Sequence, residues 1–570
     1  MPKIANAVAG TYTLSNSSPS VSNWVIQGFE ITTANRSNIY LGLVNYNGNR
    51  LVLDRNYMHS LDTGIYTTCE YGIVYSGTNS IVTDSWLAYF PQAFQSNNST
   101  SALVAILVGE CDGLTVHNTF LGADFANLLL GGSSFSTPNS ATLSGSPSTT
   151  SATFSNVSNL AVGDLVSLKE ANPKTVTDAV ISGTSVTSQT ANFTRADRGL
   201  FRLDFPGLGF GQIAIVTVNS STNVTVNTNL GSHTGATMFV PGEYGSVKVD
   251  SIVGSVVTYH AVGVNSDLRI APMVPGDVQW NGRLPKNITL THNTFFIDPV
   301  IAAASHAATG SSNKGFWEAK AVDTILVDGN EFTGVQSSVA FFPVNQGTPL
   351  GCPSVWSRTW NITFTNNWYH TVSGPYQVFS FLGNNDYYCT SLGTKNVVYR
   401  NNLVTSGGIM NLVGGGDNVS ITHNTGITYG GGDRALDSLS GFNTNFTYKD
   451  NIVKRGNYGL HCQENGGSTT GLGCFPSGVI QNNVFIDPNS GQEYCGVSFD
   501  STNHCTGVIA TVKFINAGAN NYRLASDSPY KGKASDGKDP GVDMDQLLAA
   551  LGGSVATPTP RQQSRLRSIR

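Results

Sequence analysis

The chain has 570 residues and a formal charge of −5 at pH 7, and only 12% of it is Asp, Glu, Lys or Arg, while glycine numbers 62. No basic stripe offers the phosphate contacts that a nucleic-acid partner needs, and no run of about twenty apolar residues is present to cross a bilayer as a helix. Low charge with abundant Gly, Asn, Ser and Thr suits turns and strand surfaces rather than exposed helices.

Taken in order, residues 1–21 contain one alternating piece, Thr11-Tyr-Thr-Leu-Ser15, and read as an N-terminal arm or a first strand. They lack the apolar segment of a signal peptide, as a processed or truncated form would. Residues 22–132 carry four short alternating runs: Trp24–Ile31, Arg50–Asn56, Asn79–Ser85 and Asp112–Asn118. Between 133 and 278 the text changes to Ser/Thr-rich turns separating runs such as Gly163–Leu168, Gln212–Val218, Asn223–Asn227 and Ser246–Asp250. Short strands with turn signals predict an inserted antiparallel sandwich or barrel.

From 279 to 525 one phrase recurs, an alternating strand that closes on asparagine: Asn287-Ile-Thr-Leu-Thr-His-Asn293, Thr324–Asn330, Asn361–Asn367, Asn396–Asn402, Asn418–Asn424, Asn445–Asn451 and a degraded copy ending at Asn483. The closing residues 293, 330, 367, 402, 424, 451 and 483 are 22 to 37 apart. That spacing suits one coil of a parallel β-solenoid, whose core exists only when coils stack. His117, His292 and His423 each precede a closing Asn and read as structural ladder residues rather than metal ligands. Residues 526–552 form a C-terminal cap in which Asp543–Gly552 predicts a helix with an Asp cap and a Gly stop. An extended basic tail, 553–570, follows.

Register also pairs the cysteines. Cys352 and Cys389 each lie 22 residues past a closing Asn. Coils about 4.8 Å apart fall within the Cα separation a disulfide tolerates, so these two are expected to bridge. Cys462 with Cys495 and Cys474 with Cys505 fall at matching offsets, the local pairs Cys462–Cys474 and Cys495–Cys505 being the other solution. Cys69 and Cys111 remain as a further pair. Such bridges imply an oxidising, extracellular setting, and the absence of CxxC argues against zinc.

The Asn-closed coils resemble right-handed parallel β-helix proteins, the fold of pectate lyases, polygalacturonases and phage tailspikes. Lys314–Lys320, Ile325–Phe332 and the ending Ser528–Asp543 look like a branch of secreted bacterial β-helix proteins of undetermined role. The resemblance covers 22–132 and 279–552 and implies fold rather than activity. The calcium-binding aspartate cluster and basic arginine of pectate lyases find no counterpart residue by residue.

The strongest candidate site comes from register. Arg434 and Asp437 lie 10 and 13 residues past Asn424, and His461 and Glu464 lie 10 and 13 past Asn451. This predicts stacked carboxylates of Asp437 and Glu464 with Arg434 beside His461, an arrangement for glycoside hydrolysis or, as the one cofactor it would suit, calcium. A solvated polar face on a loop is the competing reading. Glu318, Lys320 and Asp323 form a second set, with an in-strand ion pair expected. Trp356, Trp360, Tyr376 and Tyr387 could stack on sugar rings. The Asn-x-Ser/Thr sites at Asn287, Asn361, Asn418 and Asn445 are explained by the repeat itself.

Together these features predict an all-β parallel β-helix that serves outside the cell as a structural or adhesive protein. Self-association through its ends and terminal arms, with no catalytic or metal centre, is the expected mode. A secreted lyase or hydrolase acting on an acidic or plant-type glycan is the alternative.

Overall fold

The computed structural model describes residues 1–552 apart from stretches between strands, the longest being 95–103, 205–213, 262–276, 304–314, 344–357, 383–393 and 487–499. It is a parallel β-helix of three faces. Face A runs from Tyr12–Asn16 through the first part of Tyr40–Asp54 and of Cys69–Thr83 to Gly459–Glu464. Face B runs from Ser22–Gln27 through the second part of the same two long strands to Val479–Gln481. Face C is a 13-stranded sheet of short strands from Lys3–Asn6 to His504–Thr506. Residues 3–6 and 12–16 already belong to the first coil, pairing in parallel with 30–33 and 42–46. Gly467–Thr470 turns back antiparallel on Gly459–Glu464 and ends face A.

The repeated phrase builds this by alternation. Its second and fourth residues point inward: Ile288 and Leu290, Ile325 and Val327, Ile362 and Phe364, Val397 and Tyr399, Val419 and Ile421 are all at most 1% exposed. Side chains in equivalent positions stack coil on coil, as Phe295, Phe332 and Tyr369 do on face C with ring centroids 4.7 and 4.5 Å apart. The opening residue of each phrase makes the corner from face A to face B. Asn287, Thr324, Asn361, Asn396, Asn418 and Asn445 hold φ between 52° and 60°, a left-handed conformation asparagine tolerates better than most residues.

At the corner from face B to face C the left-handed residue is the one before the closing asparagine: His292, Gly329, Asn366, Asn401, His423, Asp450 and Asn482. The asparagine itself turns into the core. Asn293, Asn330, Asn367, Asn402, Asn424, Asn451 and Asn483 are at most 1% exposed. Each donates from its backbone N and its Nδ2 to the Oδ1 of the next coil's asparagine at 2.9–3.1 Å, ending on Asn503. Upstream, Asn56, Ser85 and Thr119 continue the same line. The ladder residue of that coil is therefore Thr119 and not Asn118. His117 lies opposite Thr291 on the strand, one position away from the row that His292 and His423 share.

The segment inserted between Ala126–Leu130 and Lys286–Thr291 holds two antiparallel units with separate cores. A six-stranded closed barrel comprises Asn139–Ser144, Ser151–Phe154, Leu165–Lys169, Glu243–Val253, Val256–Ala261 and Asp277–Trp280. Between its third and fourth strands a seven-stranded sheet is threaded, centred on Lys174–Ser182 and Ser232–Val240.

The C-terminal segment lies along the flank of the solenoid. Its helix, Met544–Ala550, has Asp543 as N-cap, the carboxylate accepting from the amides of Asp545 and Gln546. The approach crosses successive corner residues. Asn482 Nδ2 donates to Lys533 O, Ser535 donates to the Asp450 carboxylate from both N and Oγ, Val542 N donates to Thr425 Oγ1 and Asp543 N to Asn401 Oδ1. Leu547 is fully buried in a cluster with Trp368, Leu403 and Tyr522. The helix end reaches Gly329, where an added Cβ would stand 2.2 Å from the Ala550 carbonyl oxygen. That contact accounts for glycine in a corner row otherwise filled by His, Asn and Asp.

Candidate functional site

Backbone register does not set the positions of Asp437 and Glu464 opposite each other. In the register of face A, Asp437 lies opposite His461 in one direction and Asn411 in the other. Arg434 lies opposite Gly459, because a bulge between Arg434 and Leu436 shifts the pairing. Glu464 falls beyond Gln463, the partner of Leu439, so it is level with neither Asp437 nor Arg434. The offset count failed because it carried register through loops of unequal length. Register sets positions 437 and 461, Asp437 and His461, opposite each other in adjacent coils.

The second set also re-sorts. Glu318 is buried, and Lys320 lies outside the described residues. Asp323 pairs with Arg358 instead, Oδ2 receiving Nε at 2.9 Å and Nη2 at 2.8 Å, while Oδ1 accepts from Asn361 Nδ2 at 2.7 Å. Burial pushes the Arg358 guanidinium below its ordinary range against the pull of Asp323. Asp164, from the barrel, is the other nearby carboxylate; burial raises it, opposed by the Ala161 amide, Lys286 and Arg358. Trp360 lies 5.4 Å from the Arg358 guanidinium, which makes this corner a packed structural contact. Trp356, Tyr376 and Tyr387 lie outside the described residues.

Cys111 is a free, buried thiol, so the expected Cys69–Cys111 bridge is absent. The cause is register. Asp112 lies opposite Thr78, which sets Cys111 level with Gly77, eight residues along the strand from Cys69. Cys352, Cys389 and Cys495 lie outside the described residues, as does the side chain of Cys462. No group of three or more His, Cys, Asp or Glu able to hold a metal ion occurs among the described residues.

The feature that sequence reasoning missed is the outer surface of face B. One axial row takes the outward residue of every face B strand: Val25, Val52, Ile81, Thr115, Thr289, Leu326, Thr363, Val398, Ser420, Thr447 and Val479 lie opposite one another in turn. Its aliphatic members are half-buried at Val52 and open to solvent elsewhere, Val25 at 64%, Ile81 at 41%, Leu326 at 37%, Val398 at 39% and Val479 at 40%. Two residues further on, Gln27, Asp54, Thr83, His117, Thr291, Asp328, Thr365, Arg400, Thr422, Lys449 and Gln481 form a parallel row. The signal was in the phrase, as the alternating residues that are not core.

The chain matches no family model and no curated protein. Among solved structures it is similar to the tailspike protein gp49 from Pseudomonas phage LKA1, at 11% identity over 76% of this chain and 61% of that one, with a TM-score of 0.22. It is also similar to the gp54 tailspike of Acinetobacter baumannii bacteriophage AP22, solved in complex with A. baumannii capsular saccharide, at 10% identity over 80% of this chain and 64% of that one, with a TM-score of 0.20. The matches cover less than two thirds of either tailspike.

Proposed function

We propose that the chain is a structural or adhesive β-helix protein that works outside the cell as an assembly of its own copies. The outer surface of face B supports this reading: eleven coils present a row of aliphatic and hydroxyl residues that holds no charge, with half-buried hydroxyls between exposed aliphatic side chains. Aliphatic side chains aligned along one face, adjacent at Val25, Val52 and Ile81 and spaced by hydroxyls beyond, suit a surface that meets a partner. Well-buried ion pairs lie elsewhere, Asp323–Arg358 at a solenoid corner and Lys174–Asp197 inside the insertion. Coil-to-coil disulfides, contacts through ends and terminal arms, and a place in a secreted bacterial branch of pectate-lyase-like proteins belong to the same reading. Electron microscopy of the native protein without reducing agent tests it. Regular assemblies are expected, and dispersed monomers at every concentration would reject it.

One observation favours a glycan lyase or hydrolase as the second reading, the register that sets Asp437 beside His461 on face A. Release of sugar from an acidic or plant-type polysaccharide, tried with and without calcium and abolished by Asp437→Asn, would establish that activity. Unchanged release in the variant would remove this site.

A further inference from the structure

Over nine of its eleven coils, from Ile81 to Val479, the outer rows of face B are matched about a centre; Val25, Val52, Gln27 and Asp54 lie beyond the matched stretch. In the first row, Thr363 is the centre. Leu326 and Val398 flank it, then Thr289 and Ser420, then Thr115 and Thr447, then Ile81 and Val479. Aliphatic matches aliphatic and hydroxyl matches hydroxyl at every step. In the second row Thr365 is the centre, and the flanking pair is Asp328 with Arg400, an acid and a base. Thr291 and Thr422 follow. His117 and Lys449 come next, and Thr83 and Gln481 close the series.

A palindromic surface is what an isologous contact requires, since residue i must meet j while j meets i. We propose that face B is the interface of an antiparallel dimer, its partner a second copy of this chain. The two-fold axis lies in the interface along the strand direction and passes Thr363 and Thr365. This inference rests on the assembling role proposed above and names the surface that performs it.

Under that axis each coil meets the coil equally far on the other side of Thr363. Asp328 of one copy meets Arg400 of the other, and the same pair recurs by symmetry. Leu326 packs against Val398, and Ile81 against Val479. A parallel arrangement would instead set Asp328 against Asp328 and Arg400 against Arg400. The area is adequate. Nine coils at about 4.8 Å spacing and five-residue strands at about 3.3 Å per residue give a flat footprint of roughly 40 by 16 Å, close to the ~800 Å² per partner of a standard interface once surface relief is included. The row stays open in the single chain, Leu326 at 37% and Val398 at 39%, and Arg400 is exposed.

A charge exchange on the full chain, read by sedimentation equilibrium, tests the pairing. Asp328→Arg alone and Arg400→Asp alone each set like charges face to face and should weaken dimerisation at least tenfold. The double variant Asp328→Arg with Arg400→Asp should restore it. In parallel, Thr363→Cys should join to its symmetry mate through a short bis-maleimide, whereas Thr115→Cys, six coils from its own mate under this axis, should not. Single variants that dimerise as the wild type does, or a double variant as weak as the singles, would overturn the proposal. If larger assemblies persist unchanged in the single variants, the face B pairing fails while the assembling role stands. If the wild type is monomeric throughout, both fail.

Discussion

Asn367→Ala should be among the most damaging single truncations in the solenoid. The side chain is fully buried and makes four bonds. Its Oδ1 accepts from Asn330 N and Nδ2, and its Nδ2 donates to Val327 O and Asn402 Oδ1, all at 3.0 Å. Some partners have others to fall back on. Asn402 Oδ1 still receives the backbone N of residue 367, and Asn330 Nδ2 still reaches Leu290 O and Asp328 O. The Asn330 backbone N–H has no such second bond here and is left buried. One orphaned donor at about 1–3 kcal/mol, with the three remaining bonds at about 1 kcal/mol each, gives a loss of about 4–6 kcal/mol. The control is Asn361→Gly in the same coil. Asn361 is exposed, and glycine keeps its φ of 56°. Its bonds to Asp323 and Asn396 are replaced by water, so about 0.5–1 kcal/mol is expected. Urea unfolding followed by tryptophan fluorescence compares the midpoints. Equal shifts for the two variants would refute the claim that the buried ladder, and not the exposed one, holds the coils together.

Three other outcomes follow from particular contacts. Gly329→Ala should displace the helix Met544–Ala550, because the new Cβ would stand 2.2 Å from Ala550 O and the residue has φ +64°; faster proteolysis of that segment is expected, and wild-type resistance would contradict it. Cys111, whose thiol is pushed up to about 12 by burial, should resist maleimide in the folded protein at pH 8 and react fully in urea. Asp178 is held down at about 2, first by Ser188 and Thr190 hydroxyls and then by the Gln189 and Thr190 amides, against an ordinary 3.8. A lowered folded value means that its contribution is whole above pH 3.8 and is lost as pH falls toward 2. Acid unfolding of the seven-stranded unit should therefore lose steepness across that window in Asp178→Asn, and an unchanged profile would count against the assignment.

Much of the fold was legible because a solenoid repeats its local chemistry. Ile362 and Phe364 declare the inward side of a strand, and Asn361 and Asn367 declare its two corners. The corner asparagines do different work, however, one adopting the left-handed conformation and the other feeding a buried ladder, and spacing does not distinguish them. Register counted along sequence holds only while turns are short. It slipped by one at Thr119, where Asn118 occupies the left-handed position. It failed at Asp437 and Glu464, where a loop and a bulge intervene. The packing of Leu547 against Trp368 was illegible because the two lie far apart in sequence and nothing local signals the contact. The face B rows were legible in principle, since residues that alternate with core residues must lie outside, but their symmetry emerges only once the coils are aligned.

The most direct test of the account is sedimentation velocity of the full chain at micromolar concentration, run beside Thr363→Arg, which sets a charge against itself at the two-fold. The account predicts two or more copies for the wild type and a single copy for the variant. A wild type that sediments as one chain at every concentration, or a variant that stays associated through this face, would contradict it.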